Sequence, residues 1–368
     1  MNLLSYVDKY GSYSFEEVPF NEVDNAVLSS MSYLDLKALV SGNRNYPVKI
    51  RTVGDLFFEN YTKDKKNILS VKNAIKLFRE MKDTKRYGDL LLYNYVYEEG
   101  AEEQFSALTI EIHSKLVYVS FEGTDHLISG WKEDFMFSYM FPTKSQKKAI
   151  DYVNKRFFLQ NKQIILGGHS KGGNLAMVAG MYANFLVRDK IIMIYNNDGP
   201  GLLRKQFESK YYKRIEEKLV LIVPNYSLVG VLLHHPKNYI SVRASRKGFW
   251  AHDLSNWVVE DDHFMRAEMD LFSKTLEKEV LKWLKCYDLE QRKKFVFAMF
   301  DIFERANVKS LIDIMENKKL ILQLIVEYKG VDDENRNILK DFLKMILRCF
   351  KEAKIEELVS VIEKNRKS

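Results

Sequence analysis

The amino-acid sequence predicts an α/β fold, in which helices flank a mostly parallel central sheet, followed by an all-helical C-terminal region. Two observations support this fold class. Between about residues 88 and 245, short apolar runs alternate with helical patterns, which implies crossover connections between parallel strands. After about residue 263, apolar residues recur at helical spacing and the strand signals end. We therefore expect residues 1–265 to form one domain with a helical N-terminal segment, and residues 266–368 to form a helical domain.

Apolar periodicity and the residues that bound each run predict the individual elements. The run 116–121 is continuous, β-branched and aromatic, as expected of a strand buried on both faces. Strands are predicted at residues 90–97, 105–113, 116–121, 163–168, 191–195, 219–223 and 239–243. Helices are predicted at residues 25–39, 70–82, 144–160 and 171–186, and in the C-terminal region at 264–286, 289–306, 311–328, 335–351 and 355–364. The lysine-rich residues 62–67 are predicted to form a surface loop.

The composition is that of a folded protein with a mixed-charge surface. Of the 368 residues, 46% are hydrophobic and 13% aromatic, which supplies a sizeable core and excludes the disordered class. The net charge of +7 arises from 57 basic and 50 acidic side chains, a balance typical of a solvated surface rather than of a nucleic-acid-binding protein. Two cysteines, Cys286 and Cys349, are too few for a metal cage and indicate thiols in a reducing compartment.

The sequence also bears on location. The first residues lack the basic region, apolar core and small-residue cleavage site of a secretory signal. No uncharged apolar stretch approaches the roughly 18 residues that a membrane span requires. We therefore expect a soluble, cytoplasmic protein without stable membrane insertion.

The glycine-rich stretch 167–173 carries the strongest chemical signal. Residues 168–172 fit the pattern G-x-S-x-G, and they follow a predicted buried strand and open a predicted helix. A serine in such a turn is held in a strained conformation, and the flanking glycines let neighbouring backbone segments approach closely. Ser170 is therefore predicted to be a nucleophile at the carboxyl end of the sheet. A structural glycine-rich turn is the alternative. A strand–turn–helix that presents a serine in this way is called a nucleophile elbow. Together with the α/β pattern, it narrows the predicted fold class to the α/β-hydrolase fold.

A serine nucleophile needs a histidine that takes its proton. In this fold the chain order is serine, acid, histidine, so the base should follow Ser170. The available histidines are His234, His235, His252 and His263. His252 lies in a loop after the last predicted strand, where a side chain can return over the elbow, and it is the predicted base.

The carboxylate that orients the base is predicted to be Asp198. It directly follows the first strand after the elbow helix, although an aspartate there could also cap a turn through its own backbone. The segment after the strand at 219–223 holds no carboxylate. Asp253 is adjacent to His252 and would point elsewhere in most backbone geometries, so Asp261 and Asp262 are the remaining alternatives.

The oxyanion that forms during acyl transfer needs N–H donors. The N–H of Lys171 lies at a predicted helix N-terminus, and that of Thr124 follows the central strand 116–121; both are predicted donors. The connection at 126–142 is rich in Trp, Phe, Met and Tyr. It is interpreted either as a lid or acyl-binding wall, or as an ordinary packed helix.

These motifs resemble those of the class 3 lipases, and more closely those of the Mbeg1-like family (domain of unknown function 2974), a bacterial branch of that superfamily. Residues 121–124, followed by Trp131 and Asp134, are similar to the lipase pattern F-R-G-[ST]…W…D. Residues 168–176 are similar to the lipase elbow G-H-S-L-G-G-x-L-A. The resemblance covers about residues 25–265.

Three residues depart from the lipase pattern. Glu122 stands where arginine is usual, and Lys171 stands where leucine is usual. Residues 223–233 resemble the segment that carries the acid in class 3 lipases, but Ser227 stands at the position of the aspartate. Residues 197–201 are instead similar to the acid loop of pancreatic-type lipases.

The resemblance implies a lipase or esterase that acts on a small-molecule ester or a lipid, with neither a metal nor an organic cofactor. Ser170, Asp198 and His252 would form its triad, and His169, Trp131 and Ser227 are predicted to contact the substrate. The alternative is a weakly active or inactive hydrolase-fold protein that binds a protein partner through its helical C-terminal region. A third hypothesis is a protein that binds lipid surfaces through basic helices of that region.

Overall fold

The computed structural model describes residues 1–59, 69–100, 103–124, 128–310 and 317–367. Their central feature is an eight-stranded sheet whose spatial order follows the chain order from first strand to last. The strands are β1 (Val48–Lys49), β2 (Leu91–Gly100), β3 (Glu103–His113), β4 (Leu116–Phe121), β5 (Gln163–His169), β6 (Ile191–Asn197), β7 (Leu219–Pro224) and β8 (Ile240–Val242). Strands β1 to β4 pair antiparallel, and β4 to β8 pair parallel. This is the mostly parallel sheet of an α/β-hydrolase, with an antiparallel edge.

Helices flank the sheet and fill the C-terminal region. They are α1 (Leu3–Tyr10), α2 (Glu22–Ser30), α3 (Ile50–Glu59), α4 (Leu69–Met81), α5 (Ile128–Met136), α6 (Lys144–Phe157), α7 (Lys171–Tyr182), α8 (Phe185–Arg188), α9 (Arg204–Phe207), α10 (Lys210–Lys213), α11 (Leu271–Cys286), α12 (Leu289–Arg305), α13 (Lys318–Lys329) and α14 (Asp333–Lys367). Short 3₁₀ helices cover Met31–Tyr33, Glu216–Lys218, Gly248–His252 and Leu254–Asn256. A ribbon of β9 (Val259–Glu260) and β10 (His263–Phe264) follows the sheet.

Several element predictions differ from the structure. The helix predicted at 25–39 ends early, because the hydroxyls of Ser29 and Ser30 donate to the carbonyl of Ala26 and compete with the helical ladder. The helix predicted from 264 begins at Leu271, since His263–Phe264 pairs as a strand. The two helices predicted at 335–351 and 355–364 form one helix, α14. The loop predicted at 62–67 and the start of the helix predicted at 311–328 lie outside the described residues.

The two faces of the sheet are separated by the two-residue period of its strands. On β5, Ile164 and Leu166 pack against α6 and α7, whereas Ile165 packs toward the N-terminal helices. On β4, Tyr118 likewise faces the N-terminal helices. Helices therefore cover both faces, and the functional positions are left at the carboxyl ends of the strands.

The C-terminal helices share a core with the sheet region. Trp131 and Phe137, in and after α5, belong to one buried apolar cluster with Leu221 and Val223 of β7. Trp283 and Phe295, of α11 and α12, complete the same cluster. The C-terminal region is thus packed on α5 and on the end of β7. No helix within the described ranges is both long enough and apolar enough to cross a membrane.

A buried ion pair ties the N-terminal helices to the segment before β2. The Arg86 guanidinium donates to both carboxyl oxygens of Asp24, over 2.7 and 2.5 Å, and neither side chain has exposed surface. The hydroxyl of Tyr87 donates to the same carboxylate over 2.6 Å. Arg86 also donates to the carbonyls of Ser14 and Val18, so one side chain satisfies acceptors in several segments. Geometry of this kind is what a buried ion pair needs to offset its desolvation.

We expect Arg86→Met to destabilise the protein by about 3–5 kcal/mol, because it leaves the Asp24 carboxylate buried without its cation. The free energy of unfolding from urea titrations measures this loss. Arg204→Met is the matched control, since Arg204 pairs with Glu208 in an exposed i,i+4 contact that should be worth less than about 1 kcal/mol. Equal losses in the two variants would contradict the role assigned to the buried pair.

Candidate active site

Ser170 lies at a sharp turn between β5 and α7, at the carboxyl end of the sheet. Its φ of 57° is in the left-handed region, which non-glycine residues rarely adopt. Glycine is required beside it: a Cβ on Gly168 would lie 2.4 Å from the carbonyl carbon of Gly172, and one on Gly172 would lie 2.1 Å from the carbonyl oxygen of Phe121. The Ser170 N–H donates to Asn197 O over 2.9 Å. The chain therefore forms the strand–turn–helix geometry of a nucleophile elbow.

Asp198 and His252 form a buried pair beside this turn. His252 Nδ1 lies 2.6 Å from Asp198 Oδ2. The other carboxyl oxygen, Oδ1, accepts from Ser227 Oγ over 2.5 Å and from Gly230 N over 3.0 Å. Three donors thus surround a fully buried carboxylate and offset its desolvation. Since Nδ1 faces the carboxylate, Nε2 is the nitrogen of His252 that remains for proton transfer.

The other histidines and carboxylates considered from the sequence lie elsewhere. His235 faces Glu277 of α11, and His263 lies in β10 beside Glu260. The carboxylate of Asp253 accepts from Asn73 and from the backbone of Ser255. Asp261 and Asp262 are exposed, and Asp261 pairs with Lys9.

His169 braces the loop that carries His252. Its Nε2 lies 2.7 Å from the carbonyl oxygen of His252, and its Nδ1 lies 2.8 Å from the hydroxyl of Tyr33. Because a carbonyl can only accept, Nε2 carries a proton, and in the neutral imidazole Nδ1 then accepts from the Tyr33 hydroxyl. The two imidazole rings are 4.5 Å apart. The contact of His169 with substrate stays a prediction, and Tyr33 has no motif that marks it in the sequence.

The remaining two predicted substrate contacts are also engaged by the protein. Ser227 is fully buried and donates to Asp198, so it supports the acid. Trp131 lies in α5, where its ring packs 6.1 Å from that of Phe249. Within the described ranges its indole N–H has no hydrogen-bond partner.

Two backbone segments flank Ser170: the start of α7 at Lys171, and Gly123 after β4. Lys171 is the first residue of α7, so its N–H has no acceptor within the helix, and the helix dipole favours negative charge there. On the other side, a Cβ on Gly123 would lie 2.4 Å from His169 O and 3.1 Å from Ser170 Cβ. Glycine at 123 therefore lets the Thr124 segment approach the nucleophile.

The side chain of Lys171 is paired inside the protein. Its Nζ lies 3.2 Å from Glu133 Oε2 and donates to Gln104 O over 2.8 Å. Glu133 also accepts from the backbone N–H and the hydroxyl of Ser145. The lysine that departs from the lipase pattern thus has a dedicated partner in α5. A buried lysine needs a negatively charged partner, so Lys171 in the predicted elbow indicated that a carboxylate lies nearby. The sequence did not identify Glu133 as that carboxylate.

Asp134 is a second unusual carboxyl in α5. The residue as a whole is partly buried, but both of its carboxyl oxygens are fully buried. Neither oxygen makes a regular hydrogen bond among the described residues. Burial raises the pKa of Asp134 to about 7; the nearby Lys171 ammonium and Thr124 hydroxyl lower it, and Glu133 raises it. A carboxyl that titrates near neutrality therefore lies between the Thr124 loop and the Lys171–Glu133 pair.

The sheet and the strand–turn–helix geometry around Ser170 are those of an α/β-hydrolase fold. The chain belongs to the Mbeg1-like family, whose model matches residues 81–301 and so includes Ser170, Asp198 and His252. A search of curated proteins finds no match. Among solved structures, the chain is similar to the crystal structure of M37 lipase, with 14% identity and a TM-score of 0.33 over 56% of this chain and 68% of that one.

The titration of Asp134 makes a prediction for stability. Its pKa is about 7 in the folded protein against an ordinary 3.8, so between those values the folded state binds a proton that the unfolded state has released. Stability contributed by this residue is therefore present below pH 4 and is lost as pH rises to 7, at up to about 1.4 kcal/mol per pH unit. Asp134→Asn should remove this dependence of the free energy of unfolding on pH. Urea unfolding of both proteins at pH 5 and pH 7.5 measures it, and parallel changes in the two proteins would contradict the assignment.

Proposed function

We propose that this protein is a serine hydrolase that cleaves carboxylic esters with Ser170, His252 and Asp198. One observation carries the proposal: the 2.6 Å contact of His252 Nδ1 with Asp198 lies beside a serine at φ 57° in a strand–turn–helix elbow. A buried acid that orients the base beside an elbow serine is the arrangement that activates a hydroxyl. An α/β-hydrolase fold with its serine in such an elbow supports the same reaction class.

The reaction proceeds in two halves. Ser170 Oγ attacks the ester carbonyl carbon and passes its proton to His252 Nε2, while Asp198 stabilises the imidazolium. The carbonyl electrons move onto oxygen, where the N–H groups of Lys171 and Thr124 donate to the oxyanion. On collapse, the C–O bond to the alcohol breaks, and the alcohol leaves with the proton from His252. Water then repeats these steps on the acyl-enzyme, releasing the acid and restoring Ser170.

Within the described ranges the Ser170 hydroxyl makes no hydrogen bond, so the link from Ser170 to His252 is not formed in this structure. Such contacts often tighten only when substrate is bound. In the proposed mechanism the Asp198–His252 pair is preformed, and Ser170 joins it when substrate binds.

Ser170→Ala should abolish both ester hydrolysis and labelling by a fluorophosphonate probe, since the probe reacts with an activated serine hydroxyl. The purified protein is incubated with the probe and the modified residue is located by mass spectrometry. Ser12→Ala, in an exposed turn, is the matched control and should label normally. Labelling that persists in Ser170→Ala, or that is absent from the natural protein, would overturn the proposal.

Asp198→Asn should lower kcat by about 10³–10⁴-fold, because an amide can hold the imidazole in the wrong tautomer and cannot stabilise the imidazolium. Asp262→Asn is the control: this exposed carboxylate was an alternative acid in the sequence and should leave kcat within about threefold. Near-normal activity in Asp198→Asn would remove Asp198 from the mechanism while leaving the role of Ser170 intact.

A further inference from the structure

Four large apolar side chains are exposed at the amino ends of two neighbouring parallel strands. Phe158 and Leu159 follow α6 and precede β5, whereas Phe185 and Leu186 open α8 and precede β6. Leu159 is 84% exposed and Phe185 is 64% exposed, and the other two are exposed as well. We call these four residues the amino-end patch. Exposed apolar side chains that lie together mark a contact with something outside the chain.

Hydrogen bonds hold the two segments of the patch together. The Lys190 ammonium donates to the carbonyls of Phe157 and Phe158 over 3.0 and 3.1 Å, which ties the chain after α8 to the end of α6. The backbone N–H of Asn184 donates to Asn154 Oδ1 over 2.8 Å, which ties the start of α8 to α6. The end of α6 and the whole of α8 are therefore neighbours, and the patch is one surface.

Positive charge surrounds this patch. Lys155, Lys162 and Arg188 each have a carboxylate partner. The ammonium groups of Lys190 and Lys218 donate instead to backbone carbonyls of the same surface, and no described carboxylate pairs with either of them. The segments before β5, β6 and β7 together hold more basic than acidic residues: Lys155, Arg156, Lys162, Arg188, Lys190, Lys213, Arg214 and Lys218 against Asp151, Asp189, Glu216 and Glu217.

The size and charge of the patch favour a lipid surface over a folded partner. A stable protein–protein interface uses about 20–30 residues on each side, far more than the patch offers. Apolar side chains at the ends of helices can instead enter the boundary between lipid headgroups and acyl chains. The ammonium groups of Lys190 and Lys218 would then attract anionic headgroups, because no carboxylate among the described residues pairs with them.

The patch and Ser170 lie at opposite ends of the same strands. Strand β5 begins after Leu159 and ends just before Ser170, and its 7 residues span about 20 Å. Strand β6 likewise begins after α8 and ends just before Asp198. When the patch lies on a surface, the end of the sheet that carries Ser170 therefore faces away from it.

We propose that the amino-end patch docks this protein reversibly on an anionic phospholipid membrane, with Ser170 turned toward the water. Phe158, Leu159, Phe185 and Leu186 enter the headgroup boundary, and the surrounding basic side chains bind the anionic headgroups. The protein lies on the membrane and does not cross it. Docking of this kind needs both the apolar side chains and the positive charge, since neither alone gives stable membrane binding.

The first test is sedimentation of the natural protein with vesicles of phosphatidylcholine, alone or mixed with phosphatidylglycerol, at about 0.1 M and about 0.5 M NaCl. We expect binding to the phosphatidylglycerol vesicles at low salt. Binding should be weaker at high salt and to phosphatidylcholine alone, because the attraction of the basic side chains is then screened or absent. Absence of binding to the anionic vesicles, or binding that salt does not weaken, would overturn the proposal.

The second test changes the apolar side chains and the charge separately. Leu159→Ser combined with Phe185→Ser should lower the partition of the protein onto anionic vesicles by about a hundredfold, because two apolar side chains no longer enter the membrane. Lys190→Gln combined with Lys218→Gln should lower it by about tenfold, since an amide still donates a hydrogen bond but carries no charge. Unchanged binding in either double variant would contradict the role of the patch.

Leu322→Ser combined with Val326→Ser is the matched control, because these two side chains of α13 are 65% and 63% exposed. This control should bind vesicles as the natural protein does. Loss of binding in the control alone would place the membrane contact on the C-terminal helices and overturn the proposal. A natural protein that is dimeric in size-exclusion chromatography, and that Leu159→Ser with Phe185→Ser makes monomeric, would assign the patch to a second copy and overturn it as well.

The third test measures the orientation on the membrane. Cys286 is exposed and Cys349 is buried, so Cys286→Ser provides a background for labelling at one chosen position. An environment-sensitive fluorophore on Leu159→Cys should brighten when anionic vesicles are added, whereas one on Arg246→Cys, after β8 at the opposite end of the sheet, should not. An equal or larger response at Arg246→Cys would contradict the orientation. None of these measurements depends on ester hydrolysis, so their failure would leave the proposed function untouched.

Discussion

The carboxylate of Asp198 is the interaction on which the site depends, because three separate segments meet at it. Its Oδ2 contacts His252, and its Oδ1 accepts from Ser227 and Gly230 in the loop after β7. The backbone N–H of Asp198 donates to Ile222 O of β7 over 2.7 Å. A single residue therefore fixes the end of β6, the end of β7 and the loop that carries His252 relative to one another. Its φ of 51° lets the side chain turn back into this position.

Polar contacts beneath the turn fix Ser170 relative to the same strand ends. Asn197 accepts from the Ser170 N–H through its backbone, and its side-chain amide donates to Gly168 O over 3.1 Å. Asn25 of α2 exchanges hydrogen bonds with Asn197 and accepts from Tyr118 of β4. Because these groups are buried, each of them needs its partner. The N-terminal helices are therefore linked to the elbow by hydrogen bonds as well as by apolar packing.

The sequence was sufficient for the sheet and for the elbow, because both follow from local rules. Alternating apolar runs locate β2 to β8, and the glycines around Ser170 mark a turn whose backbone contacts leave no room for a Cβ. Contacts between distant segments were not predictable in the same way. Tyr33 and Glu133 are ordinary residues in helical patterns, and nothing local indicates that they meet His169 and Lys171. The hydrogen-bond partners of His169 and Ser227 were not predictable for the same reason, since a motif gives a position but not a partner.

In this chain the aspartate follows β6 and a serine follows β7, whereas the class 3 lipase pattern places the aspartate after the later strand. The geometry of a parallel sheet allows this difference. In a parallel pair, neighbouring strands deliver their following loops to the same edge, so a carboxylate after either strand can reach a histidine above that edge. Here the carboxylate of Asp198 follows β6, and Ser227 after β7 donates to it. A second carboxylate at position 227 would place two negative charges in one buried site and raise the pKa of one of them. A hydroxyl donor at position 227 therefore complements the carboxylate at position 198. The presence of Asp198 explains why position 227 holds a serine and not an aspartate.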